Sequence, residues 1–251
     1  MTTVLKLGGS LITDKTEVEV IDRTRLKQVS KAIGAHADEP LVVIHGGGSF
    51  GHHAASEHGI STERGTRDPR AVRSVTRAMD QLNDEVVDAL QAVGIPAIGL
   101  PPRALAVKDE DGDLTLASLA IERLVEEGFV PVLHGDLVAH ARKGTSVLSG
   151  DTIAVEVTQN MPITRVGFCS GVPGVLDESG SVISYISAFD DVATVLRNTD
   201  GEDVSGGMAT KVRSLLAIDV PGAIFGIDAL DAFLRGELPG TRVETADTDP
   251  F

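Results

Sequence analysis

Short apolar runs alternate along this chain with longer stretches whose apolar residues recur every three or four positions. Residues 4–7, 41–44, 95–100, 129–133 and 163–168 are brief aliphatic runs and read as buried strands. The clearest helix is 71–93. There Val72, Val75, Met79, Leu82, Val86, Leu90 and Val93 fall on one face, and Gly94 stops the pattern ahead of Ile95-Pro96. A weaker stripe of Leu26, Val29, Ile33 and Ala37 marks 23–37, and 115–127 and 208–219 also fit helices. Strands separated by helices predict an α/β fold with a mostly parallel sheet covered on both faces. With no repeat, low-complexity tract or linker in 251 residues, a single domain over 1–251 is expected. The acidic tail after 245 is expected to fray.

Ligands in such sheets gather at the carboxyl ends of strands, where three glycine-rich segments fall. "KLGGSLITDK" runs from Lys6 to Lys15. Lys6 sits inside the apolar run Val4-Leu5-Leu7, where an ammonium needs either an anionic partner or an edge position from which to reach water. Gly8 and Gly9 allow a sharp turn with N–H groups exposed to a phosphate, and Lys15 is an ordinary surface lysine apart from this context. "HGGGSFGHH", from His45 to His53, sends a strand straight into three glycines. A helix beginning near Ser49 would put its N-terminus at an anion and His52 in its first turn. "SGGMATK", from Ser205 to Lys211, pairs two glycines with a helix carrying Lys211. It reads equally as phosphate binding or as a capped helix with a surface lysine. Asp151 in "LSGD" is read as a helix N-cap, as an orienter of lysines, or as a carboxylate near Mg²⁺. Asp136 in "HGD" is a weaker candidate at the same edge. The loop "FCSGVPGVLD" is compatible with the nucleotide side.

Composition narrows these readings. The 22 basic and 37 acidic residues give a formal charge of −15, which argues against general nucleic-acid binding and demands local cations wherever an anion is held. Dispersed acid and 3% aromatic residues suit a protein working in high salt. No apolar run is long enough to cross a membrane, and "MTTVLKLGGS" lacks the apolar stretch of a secretory signal, so a cytoplasmic location is expected. The lone Cys169 excludes an intrachain disulfide and reads as a buried thiol. His45, His52, His53 and His58 lack a zinc-site pattern, so no dedicated protein metal site is expected. His53 and His58 read as partly exposed helix residues.

Taken in order, "KLGGSLITDK", "HGGGSFGH", "PVLHGD", "LSGD" and "DVSGGMATK" resemble the amino acid kinase superfamily and, within it, the archaeal-type isopentenyl phosphate kinases. The resemblance spans nearly the whole chain, and "GGGSFGH" is its most specific part. It implies a three-layer αβα sandwich with a mainly parallel central sheet, assembled as a homodimer. It implies transfer of a phosphoryl group from ATP, with Mg²⁺ carried mainly by the nucleotide, to isopentenyl phosphate in an archaeal mevalonate route. The acceptor side would lie mainly in the N-terminal part and the nucleotide side in the C-terminal part. By the family pattern Lys6, Gly8, Gly9, Ser10, Gly48, Asp151, Gly206, Gly207 and Lys211 face ATP. Gly47, Gly48, His52 and Gly135 face the acceptor, and Lys6, Lys15, His52 and Asp151 serve the transfer. The helix "VRSVTRAMDQLNDEVVDAL" would line the isoprenoid tail. The alternatives are a relative acting on a phosphonate such as fosfomycin, on a nucleoside monophosphate or on an amino acid carboxylate, and a noncatalytic nucleotide-binding regulator.

Overall fold

The computed structural model describes residues 2–14, 16–36, 39–198 and 206–245. Lys15, Ala37, the opening Ser205 of the third glycine segment and the tail from 246 lie outside them. In chain order the first half contains β1 (Thr2–Leu7), α1 (Gly9–Ile12), α2 (Arg23–Gly34), β2 (Leu41–His45), α3 (Gly48–Glu57), α4 (Pro69–Gln91), β3 (Ala97–Gly99), β4 (Ala106–Lys108), β5 (Leu114–Leu116) and α5 (Leu119–Glu126). The second half contains β6 (Val130–His134), β7 (Asp136–His140), β8 (Gly144–Leu148), α6 (Gly150–Asn160), β9 (Ile163–Ser170), β10 (Tyr185–Ile186), α7 (Ala193–Asn198), α8 (Gly206–Leu216), β11 (Gly222–Gly226), α9 (Leu230–Leu234) and β12 (Thr241–Val243).

The main sheet has the strand order β10-β12-β11-β9-β1-β2-β6-β3. All its pairs are parallel except β11 with β12. β1 lies at its centre, between β2 and β9, and every residue from Thr2 to Leu7 is buried. Lys6 is therefore not on an edge strand, and the snorkelling alternative fails because both flanks of β1 are occupied. Successive β1 residues face opposite layers. Leu5 and Leu7 join a core with α2, α3, α4 and α9, whereas Val4 joins a core with α5, α6 and α8. Lys6 shares the face of Val4 and points into the α6 and α8 layer.

α4 begins two residues earlier than the pattern predicts. Asp68 accepts from the Arg70 N–H as its N-cap, and Pro69 fills a first-turn position where no N–H is needed. Leu82 and Val86 on its inner face have no exposed surface, and burial of such side chains contributes about 1.5–3 kcal/mol each. Gly94 follows at φ +87°, a left-handed conformation that terminates the segment.

Two expected helices are shorter than predicted: α2 ends at Gly34 rather than at 37, and α5 begins late. Residues 114–116 form β5, paired antiparallel with β4, and α5 starts only at Leu119. These strands belong to a second sheet, ordered β5-β4-β7-β8, that the hydrophobic pattern does not reveal. The chain leaves the main sheet at Gly135 and enters this second sheet at once as β7.

Candidate active site

Each of β1, β2 and β6 runs directly into glycine at its carboxyl end, and β9 does so after Ser170. Lys6 is 5% exposed, and its Nζ lies 2.6 Å from Asp151 Oδ1. The Lys211 Nζ approaches the other oxygen of Asp151 at 3.6 Å and donates to the Gly207 carbonyl at 2.9 Å. One carboxylate thus holds two ammonium groups on different elements. Burial alone would raise the Asp151 pKa, but Lys6 and Lys211 outweigh it and hold the carboxyl below its ordinary range. For Lys211 burial and the charge of Lys6 prevail over Asp151, and its pKa falls.

Asp151 is not the N-cap of α6. Ser149 takes that position and accepts from the Thr152 N–H at 3.1 Å, which leaves Asp151 in the first turn for the lysines. Gly150 brings this turn over the sheet, because a Cβ there would meet His45 O at 3.3 Å and Lys6 Cε at 3.5 Å.

The first two glycine segments touch each other. A Cβ on Gly9 would lie 2.2 Å from the Gly48 nitrogen, a backbone atom that cannot give way. Gly48 itself has φ +50°. Gly8 donates its N–H to Cys169 O at 2.8 Å and Gly46 donates to Leu7 O at 3.0 Å, so these two groups serve the sheet rather than facing outward. Gly47 and Gly48 stand at the start of α3, where N–H groups have no intrahelical acceptor. Ser10 is exposed on α1. Gly135 donates to His45 O at 3.0 Å, and a Cβ on it would come within 3.9 Å of the Gly47 nitrogen. It is packed beside the glycine loop with its own N–H engaged.

His52 is the fifth residue of α3 and is exposed, at the start of the second turn rather than in the first. His53 pairs with Glu57 at 3.5 Å, and His58 caps the helix end. His45 is wholly buried and belongs to a different unit. It lies beside His134 across β2 and β6, with ring centroids 5.5 Å apart. Each ring sits with Nδ1 against the carbonyl of the following glycine, at 3.1 Å for Gly46 and 3.0 Å for Gly135. Burial, reinforced by His134, pushes the His45 pKa down to about 3, and burial pushes His134 to about 4. Both are neutral supports beneath the loops. Burial likewise pushes the Cys169 thiol up to about 12, leaving it unreactive.

Asp136 is engaged elsewhere. Its Oδ2 accepts from both the backbone and the guanidinium of Arg103 at 3.1 Å, and Arg103 also grips Asp80 at 2.8 Å. Burial raises the Asp136 pKa against the pull of Arg103. This clamp ties the second sheet to α4, and no motif announces it. Beside it a groove of about 640 Å³ runs along α4, lined by Val72, Arg73 and Thr76 with Arg103 and Thr145 opposite. Met79, on the same face of α4, packs its sulfur against Gly47 and Gly51.

The structure brings together Lys6, Asp151, Lys211, Gly8, Gly9, Gly47, Gly48 and Gly135. It places His53 and Asp136 in contacts of their own. Thr13 and Asn83 were not singled out from sequence, although Thr13 bonds to the second loop and Asn83 lies 3.1 Å from His45 Nε2.

A parallel sheet between helical layers, with paired lysines at its centre and glycine loops at its carboxyl edge, defines a phosphoryl-transfer class of α/β protein. The family model described as the amino acid kinase family matches residues 1–220, and the chain belongs to that family. It is 49% identical over 241 residues to the isopentenyl phosphate kinase of Haloferax volcanii, with 96% of this chain and 97% of the relative covered. It is 34% identical over 262 residues to the isopentenyl phosphate kinase of Methanothermobacter thermautotrophicus, covering 96% and 98%. A solved isopentenyl phosphate kinase structure superposes with a TM-score of 0.83 at 29% identity, covering 97% of this chain and 100% of that one. The fold implied by the sequence resemblance is the one observed.

Proposed function

We propose that this protein transfers the γ-phosphoryl group of ATP to isopentenyl phosphate, forming isopentenyl diphosphate and ADP. The observation that carries this reading is the Lys6–Asp151–Lys211 cluster beside two interlocked glycine loops. An acceptor phosphate oxygen forms the new bond to γ-phosphorus as the bond to the β-phosphate oxygen breaks and ADP leaves. The acceptor is a phosphate monoester, already largely ionised near neutral pH, so no strong base is needed. The difficulty is to juxtapose two anions and to stabilise charge on the transferring oxygens.

Lys6 and Lys211 supply that charge from the nucleotide side, and Asp151 keeps both ammonium groups aimed. By the family pattern, Lys15 serves the transferring group. Gly9, Ser10, Gly48, Gly206 and Gly207 contact the nucleotide phosphates, and Gly8, whose N–H is engaged by Cys169 O, shapes the turn before them. Gly47, Gly48 and Gly135 shape the acceptor phosphate site, and His52 donates to it. The groove along α4 takes the short isoprenoid tail against Val72.

Mg²⁺ fits here as part of the nucleotide. Among the described residues no group of three or more histidine, cysteine or acidic side chains is arranged to hold a metal, and Asp151 is already paired with two lysines. Bound to ATP, the ion would offset charge on the phosphates. We further infer one domain over 1–251, a homodimer, and a cytoplasmic place in an archaeal mevalonate route to isoprenoids. Incubation with ATP, Mg²⁺ and isopentenyl phosphate tests the reaction. Isopentenyl diphosphate and ADP should form in equal amounts, and ADP without the diphosphate would contradict it.

A further inference from the structure

We infer that Thr13 is a positioning residue that fixes the separation of phosphoryl donor and acceptor by bolting the two glycine loops together. The role rests on the phosphotransferase reading above. Thr13 follows α1 directly and is 2% exposed. Its hydroxyl donates to the Gly9 carbonyl at 3.0 Å and accepts the Ser49 N–H at 3.1 Å. One hydroxyl hydrogen and one lone pair are thus assigned to opposite sides of the site.

Ending α1 does not require this. The Thr13 backbone N–H already donates to Gly9 O at 3.1 Å. The bond to Ser49 spans 36 residues and has no part in ending α1; it satisfies one of the free N–H groups in the first turn of α3. Among the described residues it is the only side-chain hydrogen bond joining residues 8–14 to residues 45–52. The steric fit at the joint is equally close, since a Cβ on Gly48 would lie 2.2 Å from Thr13 Oγ1.

The consequence is geometric. α1 and the strand before it carry the donor side, including Lys6. Ser49 is the second residue of α3, and His52 stands about one turn further along it. Holding Ser49 to Gly9 fixes the α3 terminus relative to the donor loop. An in-line transfer is sensitive to that distance, and a misplacement of about 1 Å can slow a reaction about 100-fold.

Thr13→Val keeps the shape and removes both bonds, whereas Thr13→Ser keeps the hydroxyl. With ATP and isopentenyl phosphate, Thr13→Val should lower kcat about ten- to hundredfold while both KM values stay within about threefold, and Thr13→Ser should restore kcat. Hydrogen exchange of the Ser49 amide should accelerate in Thr13→Val and not in Thr13→Ser. A Thr13→Val kcat within about twofold of wild type, a loss that Thr13→Ser fails to rescue, or an unchanged Ser49 exchange rate overturns the inference. Absence of wild-type turnover would instead overturn the choice of acceptor, and the Ser49 exchange rate would still decide whether Thr13 joins the loops.

Discussion

Lys6 shows how one residue in the wrong company marks a site. A buried ammonium in an apolar strand is costly without a counter-charge, and Asp151 supplies it from an element 145 positions later in the chain. The lysine and the aspartate were both legible as candidates. Their pairing was one of three readings of Asp151; what the sequence does not reveal is that Gly150 lets the first turn of α6 settle over β1. His52 is different, since it is exposed and its proposed role comes from the family pattern. Lys6→Ala should lower kcat by about 100- to 1,000-fold, the usual effect of removing one group that stabilises transition-state charge. His52→Ala should reduce kcat/KM by about 100-fold with an unchanged melting temperature, since no packing is lost. Steady-state kinetics beside thermal melting check both. Near wild-type kcat/KM in folded His52→Ala would remove that residue from the reaction.

At the level of elements, β1, β2, β3, β6, β9 and α4 were written in the hydrophobic pattern, as apolar runs and a one-sided helical stripe, whereas β10 and β11 of the same sheet were not read from it. Nor was the second sheet. Its strands are three to five residues long and mix buried with exposed positions, which leaves little periodic signal. Contact between the Gly9 and Gly48 backbones was also invisible, since nothing in either segment reports the other. The paired histidines beneath the loops carry a pH consequence. His45 and His134 have folded pKa values depressed to about 3 and about 4 from 6.5. They stay neutral in the folded protein while the unfolded chain takes up protons. Their contribution to stability is therefore intact above about pH 6.5 and is lost as pH falls toward the folded values. Each histidine should steepen the fall by up to about 1.4 kcal/mol per pH unit over that window. Urea unfolding at pH 7, 6 and 5 measures this slope. A His45→Gln variant should show a shallower slope, and an identical slope would contradict the buried neutral pair.

The whole molecule combines a site for anions with a surface that repels them. A formal charge of −15 leaves the paired lysines as a local exception, and α4 alone presents Asp84 and Asp88 to solvent. Like charges on a compact surface oppose folding, and salt shortens their reach from about 10 Å at 0.1 M to about 3 Å at 1 M. The melting temperature should therefore rise between 0.1 M and 2 M KCl, and a fall over that range would contradict a surface suited to high salt. The three-layer arrangement was predictable from alternating strands and helices. The family pattern already gathered residues 6, 9, 48, 151 and 211 at one ligand; the strand order, with β1 between β2 and β9, gives the physical reason.

The most direct measurement is ADP release with ATP, Mg²⁺ and a panel of acceptors comprising isopentenyl phosphate, dimethylallyl phosphate, fosfomycin, UMP and glutamate. The proposed transfer to an isoprenoid monophosphate predicts the highest kcat/KM for that acceptor, by about 100-fold or more over UMP, fosfomycin and glutamate. Equal or greater kcat/KM with any of those three would contradict the assignment.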